Sequence, residues 1–146
     1  MRIRKMVIED YEQVYGLWVR TPGMGLNSVD DSREGIARYL NRNPDTCFVA
    51  EEEGEIIGVI LTGNDGRRGY ISHTAVDGER QKQGIGRQLV EKALEALHRE
   101  GITKVALVVF EKNIGGNEFW EKLGFTKRED LVYRNKALVQ LIRLDT

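Results

Sequence analysis

The stretch Gln81-Lys82-Gln83-Gly84-Ile85-Gly86-Arg87 decides the fold, because it joins two segments with different hydrophobic patterns. The segment before it, 70–76, reads Tyr-Ile-Ser-His-Thr-Ala-Val and has the composition of a strand. In the segment after it, apolar residues recur at spacings of three and four, which predicts a helix. These residues are Leu89, Val90, Ala93, Leu94 and Leu97. The order is therefore strand, glycine-containing turn and helix.

This turn has the features of an anion site. Gly84 and Gly86 carry no side chain, so a ligand can approach their backbone closely. The first amide groups of the helix have no partner within the helix, and the helix dipole adds positive potential there. Lys82 and Arg87 add positive charge beside it. Phosphate is the most natural ligand of such a site, although a tight strand-to-helix turn without a ligand is the alternative.

Two common phosphate motifs are excluded at this turn. The chain has no G-x-x-x-x-G-K-[ST], which argues against a P-loop. The dinucleotide fingerprint needs a third glycine, and Leu89 occupies that position. A different phosphate loop is therefore expected.

Gln81, Gly84 and Gly86 match the pattern Q/R-x-x-G-x-G/A. Downstream, residues 113–125 read N-I-G-G-N-E-F-W-E-K-L-G-F, which looks like N-x-x-A-x-x-F/L-Y-x-x-x-G-F. Gly116 stands at the position of the usual small residue, and Trp120 replaces the usual tyrosine. Taken together, the two motifs resemble those of the GNAT superfamily of N-acetyltransferases, and the resemblance covers essentially the whole chain.

Length and composition limit the function classes. With 146 residues and 40% hydrophobic residues, the chain is the size of one domain, 1–146, with a proper core. A net charge of -1 argues against a nucleic-acid binder. One cysteine makes the reducing cytoplasm the expected location. We expect neither a signal peptide nor a membrane span.

The hydrophobic pattern predicts an α+β fold. We expect helices over 9–20, 32–42 and 116–123, besides the one after the loop, and strands over 1–5, 47–50, 56–62, 70–76 and 104–110. The tail 126–144 reads as two further strands around Arg134-Asn135-Lys136. This gives a mixed sheet of about six or seven strands with about four helices, which matches the GNAT architecture. The resemblance implies that strands 70–76 and 104–110 are central and splay apart.

The resemblance implies acetyl-CoA as co-substrate and no metal. Its pyrophosphate would lie on residues 81–87, and its pantetheine arm would enter the gap between the splayed strands. There it would pair with the backbone of Thr74, Ala75 and Val76, where an N–H would also stabilise the thioester oxygen as it gains negative charge. Asn113 would contact the cofactor, or else hold a local backbone bond at a helix start. Phe119 and Trp120 would wall the channel or pack in the core.

Attack by an amine requires a proton acceptor. His73 is the favoured base, because histidine titrates near neutral pH and this one precedes the acyl site. Side chains alternate along a strand, so we expect only one of Ser72 and His73 to face the pocket. An ordinary hydrogen-bonded histidine, Glu111 or an ordered water are the alternatives. The family's tyrosine acid is replaced by Trp120, whose indole is no useful acid, so Tyr133 is the candidate substitute.

The loop 21–31 is rich in glycine and breaks regular structure, as substrate-binding loops often do. The resemblance places the acceptor pocket beside it, which implies Met24, Leu26, Asn27, Asp30 and Asp31 as acceptor-side residues. Asp31 or Ser32 can instead cap the helix that follows. Asp30, Asp31 and Glu111 favour a cationic acceptor, that is, an amine.

Three functions remain open from the sequence. The first is an acetyl-CoA-dependent N-acetyltransferase acting on a small-molecule, peptide or protein amine. The second is a non-catalytic acyl-CoA-binding module, suggested by the missing tyrosine. The third is a nucleotide-binding protein that uses residues 81–87 for another phosphate ligand. The apolar tail 137–142 suits a sheet centre or a pairing edge, which makes a homodimer possible.

Overall fold

The computed structural model describes residues 1–145 and contains one sheet and four α-helices. The strands are β1 (Arg2–Lys5), β2 (Phe48–Glu52), β3 (Glu55–Asn64), β4 (Gly69–Val76) and β5 (Val105–Ala106). The helices are α1 (Tyr11–Val19), α2 (Arg33–Arg42), α3 (Ile85–Arg99) and α4 (Ile114–Lys122). Short 3₁₀ turns at Ile8–Asp10 and Gly78–Arg80 precede α1 and α3.

The strands lie in the order β1-β2-β3-β4-β5. The first four are antiparallel neighbours, and β5 is parallel to β4. Hairpin turns at Glu53-Gly54 and around Asn64-Asp65-Gly66 join β2 to β3 and β3 to β4. The mixed, mostly antiparallel α+β fold predicted from the sequence is therefore confirmed.

Each face of the sheet packs against helices, because side chains alternate between faces along a strand. Val59 and Leu61 of β3 face α1 and α2, whereas Ile60 faces α3. Ile57 also faces α3, because the register against β2 shifts between Ala50 and Glu51 and interrupts the alternation. The first face buries Val14, Leu17, Trp18, Ile36 and Leu40. The second buries Leu89, Val90, Ala93 and Ala96 of α3, as the spacing of apolar residues predicts.

The start of α2 is set by a side-chain cap. Ser32 has extended backbone angles, and its Oγ accepts a hydrogen bond from the Gly35 backbone N–H at 3.0 Å. This satisfies one of the amides that have no partner in the first turn. Of the two predicted capping residues, Ser32 performs this role, which leaves Asp31 free for other contacts.

A partly buried ion pair ties β1 to the turn before α1. The Arg4 guanidinium lies 2.8 Å from the Asp10 carboxylate, which also accepts the Val7 backbone N–H at 2.9 Å. Burial raises the pKa of Asp10, but the hydrogen bonds from Arg4 and Val7 outweigh burial, and the net pKa lies below its usual value. The ionised form is thus favoured in the folded chain.

The prediction of about six or seven strands is wrong, since the sheet has five. The predicted strand 104–110 is limited to Val105–Ala106, and the two strands predicted in 126–144 do not form. In the tail a single bridge pairs Arg143 with Asn27. The apolar residues that suggested strands are exposed instead, Leu138 by 91%. Their hydrophobic pattern has no strand partner within residues 1–145.

The four helices span nine to fifteen residues. Among residues 1–145, none is long and apolar enough to cross a membrane.

Candidate active site

The segment between β4 and α3 is a backbone-lined turn. Lys82 and Gly84 adopt left-handed conformations, with φ of 64° and 82°. Gly84 forms the N-terminal boundary of α3, and no side chain caps this end. The first turn of α3 also contains no acidic residue. Its first amides therefore have no side-chain cap, and the anion site expected there stays a prediction.

Two side chains fix the turn to its surroundings. Gln81 Nε2 donates to the Val76 carbonyl at 3.3 Å. The Asp77 carboxylate accepts the Glu79 backbone N–H at 2.9 Å and a hydrogen bond from Arg20 at 3.1 Å. These two donors, the Glu79 amide first, lower the pKa of Asp77. The turn is thus anchored to the end of β4 and to the end of α1.

Gly86 serves packing as well as access. A Cβ atom built on Gly86 would lie 3.1 and 3.2 Å from ring atoms of Phe119 in α4. These distances are tighter than most van der Waals contacts, so a side chain at residue 86 would require the Phe119 ring to shift by a few tenths of an ångström. The second glycine of the motif therefore positions α4.

Strands β4 and β5 pair over only two residues, Gly69 with Val105 and Tyr70 with Ala106. β4 continues to Val76, whereas the chain after Ala106 leaves the sheet. From Ile71 onward, β4 has no strand beside it on this edge among residues 1–145. The expectation that 104–110 forms a central strand is wrong, because β5 is a two-residue edge strand, and β4 beyond it has an edge without a paired strand that leads toward the turn at residues 81–87.

β4 contains a bulge at His73. Val59 pairs with Ala75 and Leu61 pairs with Ser72, so that His73 and Thr74 together face the single residue Ile60 of β3. His73 has a φ of 44°, in the left-handed region that few residues other than glycine adopt. Because the extra residue interrupts the alternation, Ser72 and His73 both line the same cleft. The expectation that only one of them faces the pocket is therefore wrong.

The His73 imidazole is held by two neighbouring groups. Its Nε2 lies 2.7 Å from Oδ1 of Asp31, whose side chain is 4% exposed. The other oxygen of Asp31 accepts the Asn27 backbone N–H at 2.8 Å. Trp18 packs edge-on against the imidazole, with ring centroids 5.0 Å apart, and donates its indole N–H to the His73 carbonyl. The imidazole is thus oriented by a carboxylate, as in many acid–base sites.

A cleft of about 700 Å³ lies between α2, β4 and the β3–β4 hairpin. His73, Asp31 and Asn27 line one part of it. Apolar and aromatic walls come from Ile36, Tyr39, Leu61 and Tyr70. Burial raises the pKa of the Tyr39 hydroxyl, so it stays protonated. The cleft is of the size that binds a small molecule.

A family model described as "Acetyltransferase (GNAT) family" matches residues 10–125, about four-fifths of the chain. This chain belongs to the GNAT acetyltransferase family. An acetyltransferase of Photorhabdus laumondii is 33% identical over 141 residues, covering 95% of this chain and 97% of its own. The GNAT chain described here is therefore an acyltransferase enzyme.

Solved structures share the GNAT fold. Ard1 from Thermoplasma volcanium superposes with a TM-score of 0.77 at 22% identity, covering 86% of this chain and 82% of its own. A predicted acetyltransferase from Clostridium acetobutylicum, solved with acetyl-CoA, has a TM-score of 0.70 at 20% identity and covers 92% of this chain and 95% of its own.

In this GNAT chain, the predicted acceptor residues separate into two groups. Asn27, Asp30 and Asp31 line the cleft. Leu26 is 1% exposed and belongs to the core, and Met24 packs against that core. The two apolar residues thus support the loop rather than line the cleft.

The second motif forms α4. Asn113 is the N-terminal cap of this helix, and its Oδ1 accepts the Gly116 backbone N–H at 2.9 Å. A Cβ on Gly116 would lie 2.4 Å from Asn113 Nδ2, so the small residue makes room for this cap. Trp120 is half-buried between Phe119 and Phe125, with centroid distances of 5.0 and 5.2 Å. The motif therefore has a structural role here, whatever it does for the cofactor.

The two remaining acid–base candidates are exposed residues outside the lining of the cleft that contains His73. Glu111 is exposed in the turn before α4, and Tyr133 is 67% exposed in the tail. Neither lines the cleft. Phe110, just before Glu111, packs instead against Gly25 of the 21–31 loop, with a ring atom 3.5 Å from the position of a Cβ there.

The sequence reasoning missed several cleft residues. Arg38 and Arg42 of α2 and Arg68 of the hairpin line the cleft. The spacing of Arg38 and Arg42 is visible in the sequence, and it places both side chains on one helix face. The sequence does not show which face of α2 meets β4, because that depends on tertiary packing.

Among residues 1–145, no group of three or more His, Cys, Asp or Glu side chains is arranged to hold a metal ion.

Proposed function

We propose that this protein transfers the acetyl group of acetyl-CoA to a primary amine of a small molecule or peptide by direct attack on the thioester. The carrying observation is the geometry of β4. This strand contributes His73 to the cleft, has a free edge beyond Ile71 and ends at the uncapped turn of residues 81–87. Acceptor, acyl group and phosphates thus have adjoining sites on one strand.

The residues present fit acetyl-CoA. The open amides at the start of α3, with Lys82 and Arg87 exposed beside them, suit its pyrophosphate. The free edge of β4 offers backbone groups at Thr74, Ala75 and Val76 to the pantetheine amides. The acetyl-CoA in the Clostridium neighbour supports the same assignment.

His73 would accept the proton of the attacking amine. If its Nε2–H donates to Asp31, Nδ1 carries the lone pair that can accept a proton. Asp31 fixes this tautomer and stabilises the imidazolium that forms. A backbone N–H at the edge of β4 would stabilise the thioester oxygen as it gains charge, an effect worth roughly 3–4 kcal/mol per donor.

No side chain is required as acid for the leaving group. A thiol has an ordinary pKa of about 8.5, so its thiolate leaves with little help. Trp120 is packed between aromatic rings, and its indole N–H is no useful acid. A side chain that assisted the leaving sulfur would be Tyr133.

The relatives named acetyltransferases favour catalysis over a non-catalytic acyl-CoA-binding module. One GNAT domain over 1–146, a homodimer through the exposed tail and a cytoplasmic location are further parts of the proposal. The tail supports a dimer because Val132, Leu138 and Val139 are each more than 60% exposed.

The test is a turnover assay with the intact chain, acetyl-CoA and a panel of primary amines. Free CoA thiol is followed by absorbance with a thiol reagent, and the acetylated acceptor by mass spectrometry. We expect acceptor-dependent CoA release. Acetyl-CoA binding without transfer to any amine would instead support the non-catalytic module, and absence of binding would refute the proposal altogether.

A further inference from the structure

We propose that the cleft contains an anion subsite formed by Arg38, Arg42 and Arg68, so that the acceptor is a small-molecule amine carrying a carboxylate or phosphate. This inference rests on the proposed function, because it describes the same acceptor. It goes further by assigning the acceptor a second charged group and a place for it.

The arginines are free to bind a ligand. Within residues 1–145, their guanidinium groups form no ion pair and no hydrogen bond. Other arginines do have acidic partners, such as Arg4 with Asp10 and Arg80 with Glu52. Three exposed guanidinium groups therefore meet at one cleft with no protein carboxylate assigned to them.

The acidic residues of the cleft already have partners within the protein. Asp31 is bonded to His73 and to the Asn27 amide. Asp30 accepts the Asn27 side-chain N–H at 3.0 Å. Asp65 accepts the backbone N–H groups of Arg67 and Arg68 at 2.8 Å, and these amides, that of Arg68 first, lower its pKa. The lining thus carries three aspartates and three arginines; the aspartates are hydrogen-bonded within the protein, whereas the arginine N–H groups are available to an anionic group.

The arginines lie at the opposite end of the cleft from His73. α2 starts beside Asp31, which contacts His73, and ends at Arg42. Its far end meets the end of β3, since Asn43 Oδ1 accepts the Asn64 backbone N–H at 3.3 Å, and Asn64 pairs with Gly69 at the start of β4. At 1.5 Å per residue, the backbone positions of Arg38 and Arg42 lie roughly 10 and 16 Å along the helix axis from Asp31. Their long side chains can shorten this separation. An amine at His73 and an anion at the arginines therefore require a spacer of several bonds.

The acidic residues of the 21–31 loop favour an acceptor with an amine, and the arginines favour an acceptor that also carries an anionic group. The amine is selected by reactivity at His73, and the other end of the acceptor by charge. Guanidinium groups bind carboxylate and phosphate alike, often through two parallel hydrogen bonds. The structure assigns the charge and the spacing, and the experiment distinguishes the two anions.

The experiment uses four probes with the same amine and chain length: hexylamine, 1,6-diaminohexane, 6-aminohexanoate and 6-aminohexyl phosphate. kcat/KM is measured for each with saturating acetyl-CoA. We expect at least one anionic probe to exceed hexylamine by about tenfold or more, and the diamine to fall below it, because hydrogen bonds between ions are the strong ones. The anionic probe with the higher kcat/KM shows whether the subsite prefers carboxylate or phosphate.

In the variant Arg38→Gln/Arg42→Gln, kcat/KM for the anionic probe divided by kcat/KM for hexylamine should fall close to one. Arg67→Gln is the matched control, since Arg67 is exposed beside Arg68 but does not line the cleft. It should keep the wild-type ratio. Equal use of all four probes by the wild type, or preference for the diamine, would overturn the anion subsite while leaving the proposed function intact.

A binding measurement separates the two proposals. Calorimetric titration of the anionic probes into the protein with CoA present needs no turnover. Suppose that the wild type binds an anionic probe but does not acetylate it, and that Arg38→Gln/Arg42→Gln no longer binds it. That result would support the subsite and refute the proposed transfer. If the anionic probes are neither bound nor acetylated, the anion subsite is overturned.

Discussion

His73 Nε2 and Asp31 Oδ1 lie 2.7 Å apart, and this contact joins the bulge of β4 to the residue before the cap of α2. It places a titratable side chain at the cleft and fixes its orientation from the opposite wall. The pair also explains why a buried aspartate follows a glycine-rich loop, because Asp31 holds both the imidazole and the Asn27 amide.

The variant His73→Asn tests the assigned base. Asparagine tolerates positive φ better than most residues, so the bulge should be retained. We expect kcat to fall by about 100-fold or more, the usual contribution of a positioned base, with acetyl-CoA affinity unchanged. His98→Asn, the same change at the exposed end of α3, is the control and should stay near wild type. A kcat for His73→Asn within a few-fold of wild type would assign His73 a structural role.

Gly86→Ala tests the contact between α3 and α4. The added methyl would lie 3.1 Å from the Phe119 ring, so we expect Gly86→Ala to be about 1–3 kcal/mol less stable than a control that gains the same helix propensity without a contact. Gly115→Ala is the control, since a Cβ there meets nothing within 4 Å. Urea denaturation measures both. Partial recovery in Gly86→Ala/Phe119→Leu would confirm the steric cause, and equal stability of the two single variants would contradict it.

Trp120→Phe tests whether residue 120 takes part in proton transfer. Phenylalanine keeps the aromatic packing with Phe119 and Phe125 but lacks the N–H. Since an indole is no useful acid, activity should stay within about threefold of wild type. A collapse of kcat with acetyl-CoA binding intact would show that the N–H is needed.

Asp10→Asn tests the ion pair with Arg4. The folded-state pKa of Asp10 is lowered, so its stabilising effect is present above the unfolded pKa, about 3.9, and disappears as pH falls through the folded value. At pH 7 the variant should lose about 2 kcal/mol, as for a hydrogen bond to a charged group, and the difference from wild type should shrink below pH 4. Asp45→Asn, which breaks the exposed Lys5 pair, should cost little. A pH-independent difference would contradict the assignment to charge.

Local patterns in the sequence predicted much of the fold. The spacing of Leu89, Val90 and Ala93 predicted α3, and Ser32 marked the start of α2. The glycine turn at 84–86 was identified with its strand and helix. These features depend on residues close in sequence, so the sequence alone reveals them.

Features that depend on distant contacts were not predictable. Nothing in Ser72-His73-Thr74 signals a bulge, which arises from the register against β3. The apolar pattern of 137–142 shows what a strand would bury but not whether a partner strand is available. The link between His73 and Asp31 spans 42 positions in the sequence, so each residue was a candidate by itself while their pairing was not.

The most direct test of the central claim is the thermal stability of the intact chain with acetyl-CoA, CoA, ATP or NAD, each at high excess. At about 100 times its Kd, a ligand adds roughly 2.7 kcal/mol to the folded state, which is readily seen as a higher Tm. We predict stabilisation by acetyl-CoA and CoA that weakens in Lys82→Ala/Arg87→Ala but not in Lys92→Ala, further along α3. Stabilisation by ATP or NAD without any by CoA would contradict the assignment of residues 81–87, and with it the proposed transfer.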